Sequence, residues 1–148
     1  MKRTLPAILI AFFSLSTFNS MGSNPTEWEI YFANDTVKIE YTYQNCEYTE
    51  HFNSEYVVFK ITNTIKKNIT VEWQEQLWYD ENCINCETVN KENRKQITIV
   101  STSVNEGKCN MNNSLRIFSK FTENLDKMPG VNTIMALTKF ELINIKIK

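Results

Sequence analysis

Between Thr36 and Gln44 the sequence alternates apolar and polar residues without a break. Val37, Ile39, Tyr41 and Tyr43 fall on one side and Lys38, Glu40 and Thr42 on the other. A repeat of two is the period of an extended strand with one buried face, and it cannot be reconciled with the longer period of a helix. The signature returns along the chain. Glu55–Asn63 is more continuously apolar and reads as a central strand with Val57, Phe59 and Ile61 inward. Ile69–Tyr79, Gln96–Ser101, Leu115–Phe121 and Leu137–Ile147 follow, Glu27–Phe32 precedes, and Val104–Cys109 offers a short return strand. Seven to eight short strands separated by turn residues predict an all-β chain. The expected architecture is an antiparallel immunoglobulin-like β-sandwich, with a small closed barrel as the alternative.

Two strands interrupt their own alternation. The inward series Ile69, Val71, Trp73 would next bury Glu75. In the last strand Phe140 and Leu142 share one face, whereas Ile143, Ile145 and Ile147 continue on the other. One inserted residue flips every later side chain, so a β-bulge or sheet switch is expected at each place. The alternative, a buried Glu75 acting as an acid or base, would leave a carboxylate desolvated with no evident partner.

Lys2 and Arg3 precede an apolar run from Leu5 to Phe18, shorter than the roughly 20 residues that span a bilayer. A cationic start, a short apolar stretch and small residues at Ser20 and Gly22 have the form of a secretory signal peptide cut after Gly22. Residues 1–22 are therefore expected to be a signal peptide and 23–148 a single sandwich domain. The mature chain would hold 126 residues, with 14 basic and 17 acidic side chains. That balance lacks the basic footprint of a nucleic-acid binder. No later stretch is apolar enough for a transmembrane segment. The expected location is the periplasm, the outer-membrane periphery or the extracellular space. No cysteine lies near the cut, which argues against a lipid anchor there.

Cys46, Cys83, Cys86 and Cys109 are the four cysteines, an even number in a chain read as exported. An oxidising compartment makes two disulfides the expectation. If strands alternate in direction, all four sulfurs gather at one pole, which favours bonds from Cys46 and Cys109 to the Cys83–Cys86 loop. A redox-active Cys-x-x-Cys would sit in a βαβ pattern, which is missing. A zinc site could draw on the four thiolates, or three with the imidazole of His51, but a second close cysteine pair is missing. His51 is the only histidine and falls in the polar loop 45–54. Neither a nucleophile elbow, a paired-histidine metal motif nor a phosphate-cradling glycine loop occurs. The carboxylate pairs Glu72/Glu75 and Asp80/Glu81 point to opposite faces of a strand. The sequence thus predicts no enzyme, cofactor or metal.

Trp73, Trp78 and Tyr79 cluster before the Cys83 loop. Strict alternation puts Trp73 and Tyr79 inside and Trp78 outside, and a bulge would exchange the last two. An outward tryptophan beside the Asn/Asp/Glu-rich segment Asp80–Asn93 marks Trp78, Tyr79, Asp80, Asn82 and Asn85 as a candidate contact patch for a protein or a sugar. The acidic residues lack the spacing of a calcium loop.

The chain also resembles small exported proteins of flavobacteria and related Bacteroidetes. The resemblance rests on Trp28-Glu29-Ile30, Glu55-Tyr56-Val57-Val58, Leu77-Trp78-Tyr79 before Cys83-x-x-Cys86, Gly107-Lys108-Cys109, Ile117-Phe118-Ser119-Lys120-Phe121 and Leu137-Thr138-Lys139-Phe140-Glu141-Leu142. It implies a periplasmic or outer-membrane-associated β-sandwich with paired cysteines, and it transfers no catalytic residue. The leading expectation is a non-enzymatic envelope protein that binds another protein, as an accessory subunit of an outer-membrane assembly. A carbohydrate-binding module built on Trp78 is the alternative, and a periplasmic zinc or thiol protein the third.

Overall fold

The structure, a computed structural model, describes residues 27–48, 52–87, 94–110 and 114–148. Its strands are β1 (Glu29–Ala33), β2 (Val37–Cys46), β3 (Ser54–Asn63), β4 (Ile69–Tyr79), β5 (Asn82–Cys83), β6 (Arg94–Ile99), β7 (Val104–Glu106), β8 (Arg116–Phe121) and β9 (Leu137–Ile147). β4 and β9 have the bounds read from the alternation. The segment read as a signal peptide and His51 lie outside the described residues.

All pairings are antiparallel and fall into two sheets. In the first, β1, β2 and β3 are consecutive neighbours, and the far edge of β3 takes β7 against Lys60–Thr62 and β8 against Ser54–Val58. In the second, β4 has β9 on one edge and β6 and β5 on the other. Val37, Ile39, Val57, Phe59 and Ile61 of the first sheet meet Ile69, Val71, Trp73, Ile99 and Leu142 of the second in one buried core. The chain is an all-β sandwich. Consecutive β2 and β3 share a sheet over their whole length, whereas an immunoglobulin Greek key sends the strand after the second to the opposite sheet.

Irregularities sit where the sequence needs them. β9 gains a residue against β4 between Glu72↔Lys146 and Gln74↔Ile143, and Asn144 adopts φ 55° there. That bulge places Phe140, Leu142, Ile145 and Ile147 on the core side together. The bulge expected in β4 does not exist. Alternation runs through Ile69, Val71 and Trp73 to Glu75, which is buried at 8% exposure. The carboxyl is accommodated because the Trp73 indole N–H donates to it at 3.4 Å and the Lys95 ammonium acts on it from β6.

The cysteine pairing also differs from expectation. Cys46 bonds Cys109 and Cys83 bonds Cys86, so no disulfide joins the two sheets. Cys46 has the strand parity of Glu40 and Thr42, on the face of β2 turned away from the second sheet, out of reach of Cys83 and Cys86. The chain leaves the β3 edge at Gly107, whose N–H donates to the Phe59 carbonyl, and then passes over β3 to put Cys109 on Cys46. Val58 and its partner Thr42 are buried on that outward face. Gly107 is obligatory at its start, since a Cβ would stand 2.1 Å from the Leu115 carbonyl oxygen. Closing a 63-residue separation is worth about 4 kcal/mol in the chain-entropy picture, against about 2 kcal/mol for one of 3.

β2 outruns the sandwich. Its inward series ends at half-buried Tyr41, and Tyr43, expected inside, is 46% exposed past the limit of the core. Conversely, Glu40, expected on a solvated face, is buried between Lys38 at 3.1 Å and Lys60 at 3.3 Å.

Candidate functional site

The residues singled out around Trp78 meet at the β4–β5 hairpin. Tyr79 pairs with Asn82, and the two residues between them, Asp80 and Glu81, have φ 46° and 68°. Two left-handed residues make the tight turn whose twist suits a hairpin, and Asp tolerates that region better than most side chains. The turn is fastened to the start of β9. Asp80 accepts the Ala136 N–H at 3.2 Å, and the Glu81 N–H donates to the Thr138 hydroxyl at 3.0 Å. Asn85 extends the sheet edge with its amide: Oδ1 accepts the Leu77 N–H at 2.8 Å and Nδ2 donates to the Glu75 carbonyl at 3.0 Å. The Cys83–Cys86 bond holds that amide in place.

Trp78 faces outward, as strict alternation requires, and the Lys139 ammonium lies 4.3 Å from its ring centre. Tyr79 faces inward, where its hydroxyl donates to the Phe118 carbonyl at 2.6 Å and ties the two sheets together. Burial raises the pKa of this phenol, with the Glu75 carboxylate adding to the shift. The hairpin therefore gathers Trp78, Asp80, Asn82 and Asn85 at one corner, and Tyr79 belongs to the interior. Asn82 donates to the Asp80 carbonyl at 3.0 Å, and Asn85 is committed to the backbone of β4. The exposed apolar residue of this corner is Ile84, at 59%. Residues 88–93 of the acidic segment lie outside the described residues.

Among the described residues, Glu75 is the buried carboxyl on the core side of the second sheet. Desolvation raises its pKa above the ordinary carboxylate value, against the opposing pull of Lys95 and the Trp73 N–H. All four sulfurs are in disulfides, which leaves the zinc–thiolate reading without ligands. Among the described residues, no group of three His, Cys, Asp or Glu side chains is placed to hold a metal ion. No helix among them is long and apolar enough to cross a membrane.

A second surface was not read from the sequence. On the first sheet, Tyr56 pairs with Phe118 and Ser54 with Phe121, and β8 gains one residue, Ser119, between those pairs. The Ser119 hydroxyl turns to the Glu55 carboxylate at 2.8 Å. The extra residue brings Phe118 and Phe121 into contact, 5.0 Å between centroids, and Phe52 adds to Phe121 at 5.9 Å. Tyr56 packs on Phe118 at 5.7 Å, and the Arg116 guanidinium lies 4.4 Å from the Tyr56 ring centre. Arg116 is fixed by the Cys109 carbonyl at 2.8 Å and the Tyr48 hydroxyl at 3.1 Å. The disulfide Cys46–Cys109 thus anchors the arginine at one end of an aromatic row, while Phe52 and Phe121 remain 40% and 37% exposed at the other. The signal in the sequence was Phe118-Ser119-Lys120-Phe121, whose spacing puts the two rings on one face only if a bulge intervenes.

Compared with models of protein families, with curated proteins and with solved structures, the chain matches none.

Proposed function

We propose that the chain is exported and serves, without chemistry of its own, as a protein-binding subunit of a cell envelope, in the periplasm or at the outer-membrane periphery. The cationic, apolar N-terminal segment and the two disulfides support export. The observation that carries the binding reading is the aromatic row Tyr56–Phe118–Phe121–Phe52, ending in two exposed phenylalanines and flanked by a fixed arginine. Aromatic rings and arginine on a rigid scaffold are the side chains that dominate protein interfaces. The rings meet at 81°, 63° and 79°, giving no common plane along which a sugar chain could stack. This favours a protein over a glycan at that surface.

The test is co-purification from native membranes with tagged wild type and with Phe52→Ser/Phe121→Ser. Both residues are exposed, so the double variant should fold with unchanged circular dichroism. A partner retained by the wild type and lost by the variant is expected. Recovery of the wild type solely as a free monomer would remove the reading. Glycan-array binding abolished by Trp78→Ala would replace it with the sugar reading.

A further inference from the structure

The two disulfides serve the fold unequally. Cys46 is 1% exposed, and its bond to Cys109 closes a separation of 63 residues. Cys83 and Cys86 are partly exposed, lie three residues apart at the β4–β5 corner, and neither belongs to the buried core. A disulfide that adds little to the stability of a fold gains little protection from that fold, so this pair can open while the sandwich stays folded. What it holds is local. The Ile84 N–H donates to the Leu77 carbonyl at 2.9 Å, the Leu77 N–H to Asn85 Oδ1 at 2.8 Å, and Asn85 Nδ2 to the Glu75 carbonyl at 3.0 Å. β6 covers this edge of β4 from Ile69 to Gln74, and among the described residues the Cys83–Cys86 loop covers it from Glu75 to Leu77. We infer that Cys83–Cys86 is a thiol–disulfide exchange site: a dithiol donor reduces it, and the reduced loop lets go of the β4 edge beside buried Glu75.

The exchange balances with the donor alone. One thiolate of the donor attacks a sulfur of the pair, the S–S bond breaks as a mixed disulfide forms, and the other sulfur leaves as a thiolate that takes up a proton. The donor's second thiolate then displaces the remaining cysteine. Two electrons and two protons have passed, the donor ends as a disulfide, and Cys83 and Cys86 end as thiols. A monothiol stops halfway, because the neighbouring cysteine, only three residues off, expels it again. Access fits this role, with Ile84 between the two cysteines 59% exposed. Among the described residues no helix starts at the pair, so it lacks the feature that gives a thioredoxin-like Cys-x-x-Cys its reactive thiolate. It is therefore a target of exchange and not a catalyst of it. Release follows from where the sulfur lies. Cys83 Sγ is 4.0 Å from Asn85 Oδ1, the atom that accepts the Leu77 N–H. Once reduced, Cys83 has an S–H to offer that oxygen, and the Ile84–Asn85 backbone, no longer closed into a ring, regains its freedom.

Timed reduction of the full oxidised chain with dithiothreitol, followed by alkylation and peptide mass mapping, tests the assignment. Cys83 and Cys86 should be labelled about a hundredfold faster than Cys46 and Cys109, with circular dichroism unchanged. Glutathione at the same thiol concentration should open far less of the pair. Hydrogen exchange of the Leu77 amide should rise about tenfold in the reduced form and in Cys83→Ser/Cys86→Ser, while the amides of Ile69–Gln74 hold. Acid-quenched alkylation of cells that make the protein should catch Cys83 and Cys86 partly as thiols. Both disulfides opening together, opening only with loss of the fold, equal reduction by glutathione, or a Leu77 amide still protected after reduction would each overturn the assignment. A pair found wholly oxidised in those cells would make it a local staple and nothing more.

Discussion

The two flanks of the sandwich solve the same problem in opposite ways. Where β1 and β9 meet, Phe140 stacks on Tyr31 at 5.7 Å and 25°, and sets its edge or face against Tyr41 at 5.1 Å and Phe59 at 5.6 Å. The Leu142 N–H, on the strand at the sheet margin, donates to the Tyr31 hydroxyl at 2.7 Å. Tyr31 can reach it because it is the extra residue of a bulge in β1, between Ile30↔Glu40 and Phe32↔Ile39. Beside it the Tyr41 hydroxyl donates to Glu29 at 2.5 Å, and this carboxylate pushes the phenol pKa up to about 12. On the β6–β7 flank none of these devices is found among the described residues. One flank is sealed by aromatic side chains that cap an edge, and on the other the outer edge of β6 is paired to no described strand.

Truncating the centre of the seal tests the contrast hardest. Phe140→Ala removes the ring shared by Tyr31, Tyr41 and Phe59 and should cost about 3 kcal/mol, read as a lower urea midpoint with unchanged slope. Hydrogen exchange should rise in β1 and β9 before it rises in β6. A loss spread evenly over both flanks would show that the seal is merely part of a uniform core. Tyr31→Phe is the finer cut. It keeps the stack and strips the acceptor from the Leu142 N–H, for an expected cost of about 1–2 kcal/mol and selective acceleration of that amide.

Glu75 sits between the flanks, held from the β6 side by Lys95. Its carboxyl pKa is raised in the folded state, chiefly by burial. Above the unfolded carboxylate value the unfolded chain binds fewer protons than the folded one, so this group lowers stability as pH rises through the window between the two values. Below the window the cost is absent. Glu75→Gln should therefore raise the thermal midpoint at neutral pH, and the gain should vanish as pH falls below about 4.5, the ordinary range for Glu. A gain that persisted in acid would mean that packing, not ionisation, separates the two side chains.

How far the sequence could be read follows from which forces act locally. Alternation located β4 and β9, because the burial of one face is imposed residue by residue. It also announced the β9 bulge, which Asn144 executes. Glu75 was misjudged because its partners are tertiary: the indole of Trp73, two residues back on the same face, and Lys95 on the neighbouring strand. The disulfides were misjudged because alternating strand directions fix the pole of a cysteine but not its face, and Cys46 faces away from the second sheet. The Trp78 corner was legible as a cluster of neighbouring residues before the Cys83 loop, whereas the β4–β5 hairpin that arranges it was not read. The aromatic row was not, since Tyr56 and Phe118 meet only through the β3–β8 register and the Ser119 bulge.

The smallest effect is the most telling for the open flank. Val104→Thr keeps the shape of a side chain that is 52% exposed beside a cleft it lines with Ile97 and Lys108, and a surface change of this kind should alter stability by no more than about 0.5 kcal/mol. The equivalent exchange inside a core places a hydroxyl where nothing receives it and costs about 1–3 kcal/mol. Urea unfolding of the isolated chain thus reports what stands next to Val104. A midpoint unchanged from wild type fits a side chain that faces water. A drop of core size would mean that the chain closes this flank over itself, and the asymmetry between the two edges would be lost.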